Sequence, residues 1–151
     1  GQRRLGIRNS NGGLNSGGFD GKFGNIPLAE FCEQANRDLF VSIQIETTGA
    51  LEQCDEIAAL DDVDLLFVGP ADLSQNLGIT GQMDNPKLLE AIDRVAAACK
   101  KHGKHWGIVP ASPDMADMCV EKGCKMLVPV ADVKLLNAGI RASKEAYGKY
   151  F

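Results

Sequence analysis

The stretch FVSIQIETTGALEQCDEIAALDDVDLLFVGP, residues 40–70, decides the fold. Its first part, Phe40 to Glu46, is a short apolar run rich in β-branched residues, which reads as a strand. Its last part, Val63 to Pro70, is a second apolar run closed by a Gly-Pro break, and reads as a buried strand. Between them Thr47 or Thr48 can cap a helix through Leu60, with Leu51, Cys54 and Ile57 on its buried side. Strand, helix, strand is one βα unit followed by the strand of the next.

The same alternation continues downstream. Asn85-Pro86 opens a helix to about Lys101 that turns Leu88, Leu89, Ile92, Val95 and Cys99 inward, and Gly103 closes it. HWGIVP, His105 to Pro110, is a third strand, and Ser112-Pro113 caps a helix that Gly123 stops after Lys122. KMLVPV, Lys125 to Val130, is a fourth strand, although Pro129 would remove a ladder donor inside it. A last helix runs from Asp132 to Tyr147, and its Leu135, Leu136 and Ile140 are expected to pack within the chain, with assembly between chains as the alternative. Upstream, a helix is expected over Pro27 to Asn36, with Leu28, Phe31 and Cys32 on one face.

Near-continuous apolar strands alternating with helices mean an α/β fold with a parallel sheet covered by helices. A complete (β/α)₈ barrel takes about 250 residues, so four units look like half of one. Residues 1–25 differ from the rest: NSNGGLNSGGFDGKFGN, from Asn9 to Asn25, is rich in Gly, Asn and Ser and is expected to be a loop. No strand precedes its glycines and Phe23 follows Lys22, so the context of a phosphate-binding loop is not met. The domain reading is therefore a loop over 1–25 and a half-barrel over 26–151.

Composition narrows the function. The 151 residues carry 16 Lys and Arg against 20 Asp and Glu, a net charge of −4, so no basic surface is available for nucleic acid. The longest apolar runs are about five or six residues against the roughly 20 that a membrane helix needs. The first thirty residues lack the apolar block of a signal peptide, and a cytoplasmic protein without a membrane partner is expected. Five cysteines without a CxxC pair read as reduced thiols rather than a disulfide or zinc framework. His102 and His105 are the only histidines. They form no HExxH motif, so any metal would need oxygen ligands.

Two carboxylates stand out by position: Glu46 at the end of the first strand and Asp72 just beyond the second. They are 26 residues apart, one βα repeat, and in a parallel α/β fold strand C-termini share the rim where ligands bind. Adjacent strand ends lie about 5 Å apart, which lets two carboxylates approach one cation. Such a pair suits a hard, octahedral ion such as Mg²⁺ or Mn²⁺. Gln44, two residues before Glu46, points to the same face and could orient a bound water or an enolate oxygen. The alternative is structural, with Glu46 an acid at a helix start and Asp72 a turn residue.

The segment QIET, Gln44 to Thr47, followed after one helix by FVGPADLSQNLG, Phe67 to Gly78, resembles the paired signature of the HpcH/HpaI aldolase family. These are metal-dependent pyruvate aldolases, related to citrate lyase β, that cleave 4-hydroxy-2-oxo acids. The resemblance continues through NPKLLEAI, HGK, GIVPASPDMA and EKGCKMLV, over residues 26 to 148. It implies a carbon-carbon lyase releasing pyruvate, with Glu46 and Asp72 as ligands of Mg²⁺ or Mn²⁺, Co²⁺ being a further candidate. Gln44 would act beside the metal. Gly69, Pro70 and Ala71 would form the turn whose amides, at Ala71 and Asp72, receive the substrate carboxylate. The family's substrate arginine and proton-transferring histidine belong to a first half upstream of residue 1, and the whole protein would be a homo-oligomer. Two other readings are an inactive half-barrel fragment or pseudoenzyme and a citryl-CoA-lyase-like enzyme acting on an acyl-CoA.

Overall fold

The computed structural model describes residues 22–150. Strands β1 (Ser42–Ile45), β2 (Leu65–Val68), β3 (His105–Ile108) and β4 (Met126–Leu127) form one parallel sheet in the order β1-β2-β3-β4. Its register aligns Ile45, Val68, Ile108 and Leu127 in one row and Gln44, Phe67, Gly107 and Met126 in the next. Side chains alternate between faces along a strand. Accordingly Ile45, Leu66, Val68, Trp106 and Ile108 are buried in the helix-covered core, while Gln44, Phe67 and Gly107 look the other way.

The helices are α1 (Leu28–Asp38), α2 (Thr48–Glu52), α3 (Cys54–Ala58), α4 (Pro70–Asn76), α5 (Pro86–His102), α6 (Pro113–Glu121) and α7 (Asp132–Tyr147). The capping residues act as their chemistry requires. Thr47 Oγ1 accepts the Ala50 amide at 3.1 Å, Asn85 Oδ1 that of Lys87 at 3.0 Å and Ser112 Oγ that of Met115 at 3.2 Å. Gly103 (φ 66°) ends α5 in the left-handed conformation that glycine adopts without a Cβ penalty. The core is α5 laid across the sheet, with Leu88, Ala91, Ile92, Val95, Ala98 and Cys99 buried against Leu51, Cys54 and Ala58 of α2 and α3.

The structure departs from the sequence reading at several points. The helix expected to run unbroken to Leu60 is interrupted at Gln53, whose amide and side chain both donate to the Gly49 carbonyl. The Gly-Pro at 69–70, read as a break, starts α4, because proline at a first helical position needs no hydrogen-bond acceptor. Strand β4 stops at Leu127, and Pro129 lies outside it, so its missing donor costs the ladder nothing. Every residue of α7 is exposed, including Leu135, Leu136 and Ile140. The packing expected for this helix within the chain does not occur among the described residues. Most of the Gly/Asn-rich stretch lies outside them; of its end, Lys22–Gly24 form a 3₁₀ turn.

A Cβ added at Gly107 would fall 2.8 Å from both the Met126 Cβ and its carbonyl oxygen, and 2.9 Å from Phe67 Cδ2. Because backbone of β4 blocks it, Gly107→Ala is expected to cost about 1–3 kcal/mol of stability in urea unfolding.

All five cysteines are free thiols. Burial pushes Cys99 and Cys119 up to about 11. A thiol whose folded pKa lies above its unfolded value keeps its full contribution below the unfolded pKa and loses it as pH rises toward the folded one. Unfolding free energy should therefore fall between about pH 9 and pH 11, and Cys119→Ala should flatten that fall when denaturation curves are compared at successive pH values.

Candidate active site

The rim is built where β1 and β2 end together. The Gly69 amide donates to the Ile45 carbonyl at 3.1 Å, one rung beyond the paired strand residues, so the chain leaving β2 stays beside the chain leaving β1. Gln44 and Glu46, two residues apart, emerge on the same face of the sheet. Both reach across to Gly69. A Cβ there would lie 3.0 Å from Gln44 Nε2, 3.2 Å from Glu46 Cβ and 3.3 Å from Glu46 Oε2. Gly69 has φ −95°, which any residue can adopt, so the glycine is needed here for space and not for conformation.

From Gly69 the chain enters α4, with Pro70 in the first helical position and Ala71 and Asp72 completing the first turn. The first helical hydrogen bond closes from Leu73 N–H to the Gly69 carbonyl at 2.9 Å. The Ala71 and Asp72 amides therefore belong to the donors that a helix start leaves without an acceptor of its own. For Asp72 the sequence leaves a metal ligand just beyond the second strand or, as the structural alternative, a turn residue. It stands in the first turn of α4, exposed, where a carboxylate is stabilised by the helix dipole.

Two residues that the sequence reading passed over hold this corner. Asn76 Nδ2 donates to the backbone carbonyl of Glu46 at 3.2 Å and to that of Asp72 at 3.0 Å. Ser74, fully buried, donates to the Ala71 carbonyl at 2.7 Å and accepts the Gly81 amide at 3.0 Å. The signal for both was the polar triplet Ser74-Gln75-Asn76, one turn after Asp72, where apolar residues would be expected on a buried helix.

Among the described residues, no group of three or more His, Cys, Asp or Glu side chains could hold a metal ion. The donor set at the rim is two carboxylates and one carboxamide, all oxygen donors. This fits a hard divalent cation that fills its remaining positions with water or substrate oxygens. The bare Gly69 lets the Gln44 amide and the Glu46 carboxylate close in over the chain leaving β2.

The histidines lie elsewhere. His102, at the end of α5, has Nε2 3.2 Å from Asp55 Oδ1, and Lys101 Nζ binds the same carboxylate at 2.8 Å. The hydrogen bond from Lys101, followed by that from His102, holds the Asp55 carboxyl below its ordinary value. His105 begins β3, at the opposite end of the sheet from the rim, and is exposed. His102 thus faces α3, and His105 lies at the end of the sheet away from Glu46.

A parallel α/β sheet with carboxylates and free helix amides at its strand C-termini is the arrangement in which such folds bind small anionic ligands. The chain belongs to the HpcH/HpaI aldolase/citrate lyase family, whose pattern matches residues 3–138. It is 31% identical over 127 residues to the 5-keto-4-deoxy-D-glucarate aldolase of Klebsiella pneumoniae, covering 84% of this chain and 49% of that one. With the hydroxypyruvate/pyruvate aldolase of Sagittula stellata it shares 32% identity over 117 residues, 78% of this chain and 46% of the other. The crystal structure of an HpcH/HpaI aldolase/citrate lyase family protein from Burkholderia cenocepacia superposes with a TM-score of 0.77 at 33% identity, over 93% of this chain and 53% of that chain. The chain thus spans about half the length of the relatives it matches. No described helix is long and apolar enough to cross a membrane.

Gly69→Ala should leave the melting temperature within about 3 °C of wild type, because the atoms nearest the new methyl group belong to the Gln44 and Glu46 side chains, which can move, and not to backbone. The same substitution should displace the Gln44 amide and the Glu46 carboxylate and weaken Mn²⁺ binding, measured by loss of the free Mn²⁺ electron paramagnetic resonance signal.

Proposed function

We propose that this chain is the C-terminal half of a (β/α)₈ aldolase, residues 26–151, that cleaves 4-hydroxy-2-oxo acids into pyruvate and an aldehyde. The observation that carries the reading is the convergence of Gln44 and Glu46 on Gly69, with the open first turn of α4 beside them. Family membership and the aldolase names of relatives at about 30% identity support it. The half-barrel is supported by four parallel strands in sequential order and by the coverage of about half of each relative.

In this reading Glu46 and Asp72 hold Mg²⁺, Mn²⁺ or Co²⁺, and the cation supplies Lewis-acid stabilisation of negative charge developing on the oxo-acid oxygen. Gln44 orients the oxygen nearest its amide. The Ala71 and Asp72 amides receive the substrate carboxylate, preorganised donors that need no reorientation during the reaction. Gly69 and Pro70 shape the floor: one leaves space for the substrate, and the other starts the helix whose amides bind it. The proton-transferring group and the substrate arginine are assigned to the other half of the barrel. The engagement of His102 with Asp55 and the distance of His105 from the rim support that assignment. The exposed apolar residues of α7, among them Leu135, Leu136 and Ile140, support assembly of the whole protein into a homo-oligomer.

Release of pyruvate from oxaloacetate tests the reading, because that reaction requires charge stabilisation but little from the proton-transferring group assigned to the other half. The chain with Mn²⁺ should exceed a free-metal blank, and EDTA or Glu46→Gln should return the rate to the blank. A folded sample that neither exceeds the blank nor binds Mn²⁺ would overturn the reading.

A further inference from the structure

We infer that Asn76 is a positioning residue that sets the separation of the two carboxylate-bearing segments at the rim; this rests on the assignment of Glu46 and Asp72 as metal ligands. Glu46 leaves the end of β1, and Asp72 sits 26 residues later in the first turn of α4. Nothing in the strand ladder reaches as far as Asp72, since its last rung is Gly69 N–H to the Ile45 carbonyl. Asn76 spans the difference. One amide nitrogen donates to both backbone carbonyls, at 3.2 Å to Glu46 and 3.0 Å to Asp72. Asn76 lies one helical turn beyond Asp72, so its side chain runs back along the face of α4 that carries Asp72.

The chemistry of the residue suits the task. A carboxamide presents two donor hydrogens on one nitrogen, enough to satisfy two acceptors at once. Aspartate at this position would have the same shape but no donor, and would set a negative oxygen against two carbonyl oxygens. The Glu46 carbonyl lies just past the end of β1, where no further strand residue pairs with it from β2, so without Asn76 it turns to water and the Glu46 backbone loses its tether to α4. A chelate formed from two separate segments depends on their distance; contacts to ligating side chains themselves account for about 10- to 100-fold in metal affinity, and a tether between the segments' backbones is set at the lower end of that range.

The test compares wild type, Asn76→Ala, Asn76→Asp and Glu46→Gln as the full chain, with Mn²⁺ alone as the probe. Affinity and hyperfine pattern are read by electron paramagnetic resonance, and folding is checked by circular dichroism and thermal unfolding. Wild type should bind, and Glu46→Gln should lose binding. Asn76→Ala and Asn76→Asp should weaken Mn²⁺ by about 10-fold or more with a broadened spectrum, while thermal unfolding remains cooperative. If wild type binds and Glu46→Gln does not, yet both Asn76 variants bind as wild type does, the positioning role is overturned and the metal assignment stands. If wild type fails to bind, or Glu46→Gln binds equally well, the metal assignment and the role built on it fall together.

Discussion

The hydrogen bond from the Gly69 amide to the Ile45 carbonyl, 3.1 Å long, is the contact on which the rim depends. It extends the β1–β2 ladder one step past the strands, and that step is where glycine replaces a side chain. With any larger residue, Gln44 and Glu46 would be pushed away from the start of α4. With the register shifted by one residue, Gln44 and Glu46 would point into the helix-covered core and Ile45 would face the rim. The site is therefore a consequence of strand pairing, and the pairing is held by the burial of Ile45, Val68 and Ile108 in one row beneath α5.

The two faces of the sheet are unequal. One carries the core, with α5 and its neighbours packed against Leu66, Val68, Trp106 and Ile108. On the other, Ser42, Gln44, His105 and Met126 are exposed among the described residues. All-parallel sheets are normally covered on both faces, because each face of a buried strand is apolar. The chain also spans about half the length of its relatives. The exposed residues of this face and the edge strands β1 and β4 of the described residues are features that a closed barrel would resolve by supplying opposing strands.

Charge at the rim is arranged economically. Two carboxylates are too few to enclose a metal, so a cation held between Glu46 and Asp72, as proposed, would keep positions for other oxygen ligands. One of the two stands in the first turn of a helix, where the dipole favours its anionic form. The same helix start presents backbone amides that no helical carbonyl takes up. Asn76 and Ser74 satisfy the Glu46, Asp72 and Ala71 carbonyls and the Gly81 amide around this turn.

Much of this could be read along the chain. Apolar runs at 40–46, 63–70 and 105–110 marked the three long strands, Asn85-Pro86 and Gly103 bounded α5, and the positions of Gln44, Glu46 and Asp72 relative to strand ends marked the rim. These features are local: periodicity, caps and turns are written in neighbouring residues. What escaped was the start of α4 at a Gly-Pro pair, the shortness of β4, the exposure of α7 and the tie made by Asn76. Each depends on a partner distant in sequence or outside the chain. A proline is a breaker or a starter according to what precedes it in space, an apolar helix face is core only if something covers it, and Asn76 gains its role from a carbonyl 30 residues away. The sequence alone thus determined the alternation of strands and helices and which residues crown the strands. Only tertiary structure decided which of those residues meet, because strand register and helix docking set distances that no local pattern encodes.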